Sequence, residues 1–185
     1  MSQAASPALS LITAFANTVN LEDGPEELSS PDALRDWLAE HGLLASKTAV
    51  SRGDLSRALA LRDAMRALVA SNNDCGEDPS AAAVLDDVAV RAGLRLRFDC
   101  CGEVRAESTA RGVDGALGHI VAAVHAAMTD GSWLRLKACA RDQCRWVYVD
   151  ESRNRSKRWC SMEVCGNREK GEAFRRRHME HSHPA

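Results

Sequence analysis

The chain has 185 residues, 45% of them apolar but only 4% aromatic, and a formal net charge of −2. This length suits one domain, or one domain of about 130 residues with a small appendage, and the composition predicts a core of Leu, Val, Ile and Ala with four tryptophans as large fillers. No apolar run approaches the roughly 20 residues of a membrane helix, and the opening MSQAASPALSLITAFANTVN lacks the basic segment of a secretion signal, so the expectation is a mature cytoplasmic protein without membrane contact.

In chain order, residues 8–20 read as a helix with Leu9, Ile12, Thr13, Ala16 and Val19 on one face. Ser30-Pro31 starts a second helix, with Leu34, Trp37, Leu38 and His41 as its stripe and Gly42 as its stop. Ser51 and Asp54 have capping-box spacing and open a long helix to about residue 70, with Leu55, Leu59, Arg62 and Val69 along one line. After the loop SNNDCGEDP, Asp78-Pro79 opens another helix that Gly93 closes. The strict alternation of LRLRFD predicts a half-buried strand, DCCG a turn and EVRAEST the returning strand. Residues 114–128 form a further helix, SWLRLKAC and RWVYVD two more strands, and a last helix runs from near Ser161 to about His178. The fold class is α+β, with a mostly helical N-terminal domain (1–132) that includes a β-hairpin, and a small cysteine-bearing module (133–185).

Charge is divided unevenly. Residues 1–134 hold 11 Lys/Arg against 19 Asp/Glu, whereas residues 135–185 hold 13 against 7. Such polarity suits either a polyanion-facing end on an acidic body or a solvated basic tail.

Seven cysteines are an odd count, and in a reducing compartment they favour metal binding or buried thiols over disulfides. Cys75, Cys100 and Cys101 follow no ligand pattern and read as structural or incidental. The other four form two pairs of equal spacing, Cys139-ARDQ-Cys144 and Cys160-SMEV-Cys165, separated by 15 residues. A turn sets two thiolates at adjacent corners of a tetrahedron and a second pair supplies the other corners, which is the geometry of a closed structural zinc site. Such a site has no open position for water, so its metal stabilises structure and does not hydrolyse. An iron–sulfur cluster also takes four thiolates, but its usual spacings differ from these. The order of knuckle, strand pair, basic loop and ligand-bearing helix is that of a treble clef.

WVYVDESRNRSKRWCSMEVCGNREK closely resembles the CGNR-type zinc finger, whose defining run stands here as Cys165-Gly166-Asn167-Arg168. That finger follows an N-terminal ABATE domain, and FANTVN, SPDALRDWL and ALRDAMRALV are similar to that domain's pattern. The resemblance implies a stress-induced transcription regulator, with the finger as DNA binder and the N-terminal domain as a sensor of a small-molecule effector.

The basic residues support the same reading physically. Arg153, Arg155, Lys157 and Arg158 crowd six residues without an acid, and Asn167, Arg168, Lys170, Arg175 and Arg176 follow on the last helix. Arginine grips phosphate and can bond guanine, and Asn167 could read adenine. The competing readings are RNA binding, a protein-interaction module, and a solvated helix decorated by Arg168–Glu172 and Glu172–Arg176 pairs. Asn17 and Arg62, polar positions on apolar helix faces, are candidates for an effector pocket or for bonds to loop backbone. One finger has a small footprint, so specificity calls for a homodimer or a partner. No phosphate loop, His-Glu-x-x-His run or nucleophile elbow is present, which argues against an enzyme.

Overall fold

The computed structural model describes residues 6–22, 24–73 and 78–181; Cys75 lies outside them. Helices α1 (Pro7–Ala16), α2 (Pro31–Glu40), α3 (Arg52–Ser71), α4 (Pro79–Arg91) and α5 (Gly112–Thr129) make the N-terminal part. Between α4 and α5 stands the antiparallel hairpin β1 (Arg95–Phe98) and β2 (Val104–Glu107). A second antiparallel hairpin, β3 (Leu136–Ala138) and β4 (Val147–Val149), leads to the last helix, α6 (Asn167–His181). No helix among the described residues is long and apolar enough to cross a membrane.

The helix starts follow from their caps. Ser30 Oγ accepts the Ala33 N–H at 3.1 Å, Ser51 and Asp54 form a reciprocal capping box, and Asp78 accepts the N–H groups of Ser80 and Ala81. The apolar faces meet in one core, built from Ile12 and Phe15 of α1, Leu34 and Leu38 of α2, Leu61 and Met65 of α3, and Leu117 and Ile120 of α5.

That core continues into the second hairpin. Strand side chains alternate between two faces, and here the faces have different owners. Leu136, Ala138 and Val147 point into the helical core. Tyr148, one residue on from Val147, packs with Cys139, Cys144 and Cys165 instead. The hairpin is therefore a wall shared by the helices and the cysteine cluster.

Its outer edges are closed by two asparagines. Asn17, the residue that caps the C-terminus of α1, donates from Nδ2 to the Val147 carbonyl at 2.8 Å and accepts the Val147 N–H at 2.9 Å. Asn73, just beyond α3, does the same for Ala138 at 2.8 and 3.1 Å. Each side-chain amide stands in for a missing neighbouring strand and leaves no edge amide of these two residues unpaired. Asn72 adds bonds to the Trp133 and Leu136 carbonyls, and Arg66 bridges the Ala16 and Arg145 carbonyls.

Three local expectations change. The β1–β2 hairpin is not half-buried: all four residues of β1 are exposed, including Phe98 at 75%. Leu96, Phe98 and Val104 share a solvent-facing apolar side, with Cys100 and Cys101 in the exposed turn. Helix α1 stops at Ala16, because Asn17 turns to β4 and Val19 then bridges Glu26. Ser132–Arg135 is a 3₁₀ turn in place of the first half of a strand, and it buries Trp133.

Replacing Asn17 with Ala strands both polar groups of Val147. The expected cost is about 1–3 kcal/mol, at roughly 1 kcal/mol for each hydrogen bond lost. Equilibrium urea unfolding will show it as a lower midpoint with an unchanged slope.

Candidate metal centre and basic surface

Cys139 directly follows β3, and its N–H donates to the Trp146 carbonyl at 2.9 Å. The chain then turns tightly: the N–H groups of Cys144 and Arg145 both donate to the Arg141 carbonyl, at 3.0 and 3.1 Å. This brings Cys144 back beside Cys139. Cys160 arrives from the basic loop, and Cys165 from a single π-helical turn, Met162–Gly166, that leads into α6. Ser161 starts that turn by accepting the Val164 N–H at 3.3 Å.

The four ligand atoms lie within 4.8 Å of one another, with Cys139, Cys144 and Cys165 buried. Cys144 Sγ is 3.8 Å from Cys160 Sγ, which is 3.7 Å from Cys165 Sγ. Sulfurs at the corners of a tetrahedron with bonds of about 2.3 Å are separated by about 3.8 Å. Donor type, number, spacing and burial thus fit one structural Zn²⁺, held by Cys139, Cys144, Cys160 and Cys165. An ion held there would supply positive charge and a fixed geometry, and these four thiolates would fill its tetrahedral shell.

Two of the four thiols hold their protons tightly. Burial, foremost, pushes the Cys165 thiol up to about 11 and raises Cys160 as well. Burial opposes ionisation of Cys139 too, but the backbone N–H groups of Arg141 and Cys160 outweigh it and hold this thiol below the ordinary range. Tyr148, raised chiefly by burial, keeps its hydroxyl proton and donates it to the Lys157 carbonyl at 2.7 Å.

Asp150 shapes the basic loop. It is fully buried, and its carboxylate accepts the N–H groups of Ser152 at 2.9 Å and Lys157 at 3.0 Å. Burial works against its charge, but the Ser152 and Lys157 donors and the nearby Lys137 hold its carboxyl below the usual range. Its own N–H donates to the Arg135 carbonyl at 2.7 Å, and the Ala140 N–H donates to the Arg158 carbonyl at 2.8 Å. The loop is tied at both ends, and Arg153, Arg155, Lys157 and Arg158 all face solvent. None of the four is ion-paired among the described residues; Lys157 lies 5.0 Å over the Tyr148 ring and Arg158 lies 5.4 Å over Trp159.

The Gly-Asn-Arg run behaves differently. Asn167 Nδ2 donates to the Glu163 carbonyl at 3.1 Å, within its own helical stretch. Arg168 bonds Glu22, and so does the buried Arg141, whose other nitrogen reaches Gln143 Oε1 at 2.7 Å. Glu22 thereby clamps the finger's knuckle and its helix to the segment after α1. Arg141, and Arg168 with it, hold the Glu22 carboxyl below its usual range. The pairs expected along α6 are replaced: Glu172 faces Arg141 at 3.6 Å, and Arg176 faces Glu169 at 3.7 Å. Lys170, Arg175 and Arg176 are exposed on α6.

Asn17 and Arg62 are engaged internally. Arg62 is buried and bonds Glu26 at 2.6 Å, Asp63 at 3.2 Å and the Thr18 hydroxyl at 3.3 Å. Asn17 also borders an open groove of about 560 Å³ with Trp37, His41, Trp146 and Tyr148. Sequence reasoning missed Glu22, Asn72, Asn73 and Asp150. Only Asp150 carried a usable signal, an acid ending an apolar strand just before a Ser- and Arg-rich loop.

The sequence pattern of the CGNR zinc finger family matches residues 135–178. That of the ABATE family, described as "Putative stress-induced transcription regulator", matches residues 9–141. The two matches overlap in β3 and the first cysteine, the strand that the helical core and the finger share. No curated protein matches the chain.

Elemental analysis of the purified protein is expected to give one zinc per chain, and Cys160→Ser to abolish it. Because Cys160 and Cys165 are raised above the ordinary thiol range, zinc must displace their protons. Zinc affinity will therefore fall as pH falls from 7.5 to 5.5. Calorimetric titration in two buffers of different ionisation enthalpy will show proton release; a pH-independent affinity contradicts the site.

Proposed function

The chain belongs to the ABATE family and carries a CGNR zinc finger, and from that premise we propose that it is a zinc-dependent DNA-binding transcription regulator. One observation carries the reading: the acid-free cluster Arg153, Arg155, Lys157 and Arg158 is exposed, without ion-pair partners among the described residues, on a loop fixed by Asp150 and by the flanking cysteines. Held cations of this kind suit DNA phosphates, whose neutralisation releases counterions and makes affinity salt-dependent. Lys170, Arg175 and Arg176 extend the basic surface along α6. Asn167 and Arg168 belong to the scaffold in this reading, the first holding its own helix and the second reaching Glu22. The order of knuckle, hairpin, loop and ligand-bearing helix supports a treble-clef finger.

The groove between α1, α2 and β4 is the place for a small-molecule effector. Its walls include Trp37 from the helical core and Trp146 and Tyr148 from the finger's side, so one ligand there would touch both. A second copy of the chain would supply the specificity that one small finger lacks.

Duplex DNA is expected to be retarded by the zinc-loaded protein at low salt and released steeply as salt rises. Replacing Arg153, Arg155 and Arg158 with Ala should weaken retardation at least tenfold, by loss of about three phosphate contacts, with zinc content and melting unchanged. Absence of retardation by zinc-loaded protein even at low salt sinks the proposal.

A further inference from the structure

Between the end of β3 and the basic loop lies a pocket of about 460 Å³. Five of its wall residues, Lys137, Arg145, Arg155, Lys157 and Arg158, are cationic, and one, Asp142, is acidic. A concave surface lined by one sign of charge concentrates its field on an incoming counter-ion.

The backbone supplies an independent observation. Among the described residues, positive φ occurs at five glycines and at two other residues, Arg145 and Arg155, each at 49°. Both line this pocket. The left-handed region costs an L-residue energy that glycine escapes. At Arg145 the turn is imposed by the knuckle: its N–H donates to the Arg141 carbonyl at 3.1 Å, and its carbonyl accepts from Arg66 at 3.0 Å. Glycine would make the same backbone bonds without the strain. The arginine side chain pairs with Asp142 at 2.5 Å, but Asp142 is 87% exposed, and a surface pair of that kind contributes little. Two non-glycine residues held in a strained backbone conformation, both lining one concave site, point to a role in binding.

We propose that this pocket seats a phosphate group, through which the finger holds one position of the DNA backbone, with Arg145 as the anchoring side chain. The inference rests on the DNA-binding reading above for the source of the phosphate. Several guanidinium forks around one tetrahedral anion satisfy its oxygens from different sides, which a flat basic surface does not do. Lys137, which also lines the pocket, donates from its ammonium to the Asn72 carbonyl and is thereby held in place.

The test compares the wild type with Arg145→Gly and with Arg97→Ala, which removes the same charge from β1. Affinity for a 12-base-pair duplex is read by fluorescence anisotropy over a salt series, beside melting temperature and zinc content. Arg145→Gly is expected to melt at the same or a higher temperature and to keep its zinc. Its affinity should fall about tenfold, and its salt slope by about one contact, whereas Arg97→Ala matches the wild type. Wild-type affinity in Arg145→Gly overturns the seat and leaves the DNA-binding reading standing; so does loss of zinc, which would make this arginine a counter-charge for the thiolates. If the wild type binds no duplex, the DNA reading fails by itself, and NMR titration with inorganic phosphate decides the seat. Saturable shifts at Lys137, Arg145 and Arg155 that vanish in Arg145→Gly assign it to a phosphorylated small molecule, and their absence overturns it.

Discussion

Four sulfurs held within 4.8 Å of one another, in a setting that raises Cys160 and Cys165, form a cluster that a cation completes. The finger has little core of its own: Tyr148, Trp146 and Trp159 around the cysteines are nearly all of it. Zinc binding, of order 10–16 kcal/mol in small fingers, exceeds what those three rings supply at about 1.5–3 kcal/mol each. The position of the basic loop, of the π-helical turn and of α6 follows from where the metal holds Cys160 and Cys165.

The finger is nevertheless not an independent bead. Its hairpin gives Leu136, Ala138 and Val147 to the helical core, and receives edge bonds from Asn17 and Asn73. Glu22 joins the knuckle to α6 through Arg141 and Arg168. Asn17 at the end of α1, strand β4 and Asp150, which closes the basic loop, thus form one short connected path between the helices and the loop.

Much of this was legible in the sequence. The caps at Ser30, Ser51 and Asp78 announced themselves by residue type and spacing, and so did the two cysteine pairs, because these features act over a few residues. The side-chain clamps were not legible. Asn72-Asn73 looks like ordinary loop, and nothing local distinguishes Asn17 as a partner for a strand 130 residues away. The β1–β2 hairpin misled for the opposite reason: alternation in LRLRFD specifies two faces but does not say that a layer exists to cover one of them, and here Leu96, Phe98 and Val104 remain open. Arg168 stood among the charged residues of the last helix, yet its acid partner is Glu22, 146 residues earlier.

Zinc fixes the basic loop onto a helical core that stands without it. Amide hydrogen exchange along the chain, before and after zinc is removed by a chelator, tests this directly. Ser152 and Lys157, whose N–H groups Asp150 accepts, and the residues around Cys160 and Cys165 should lose protection, while α3 and α5 keep theirs. Unchanged protection in the loop after complete zinc removal would contradict the account, because the loop would then owe its shape to the hairpin and Asp150 alone.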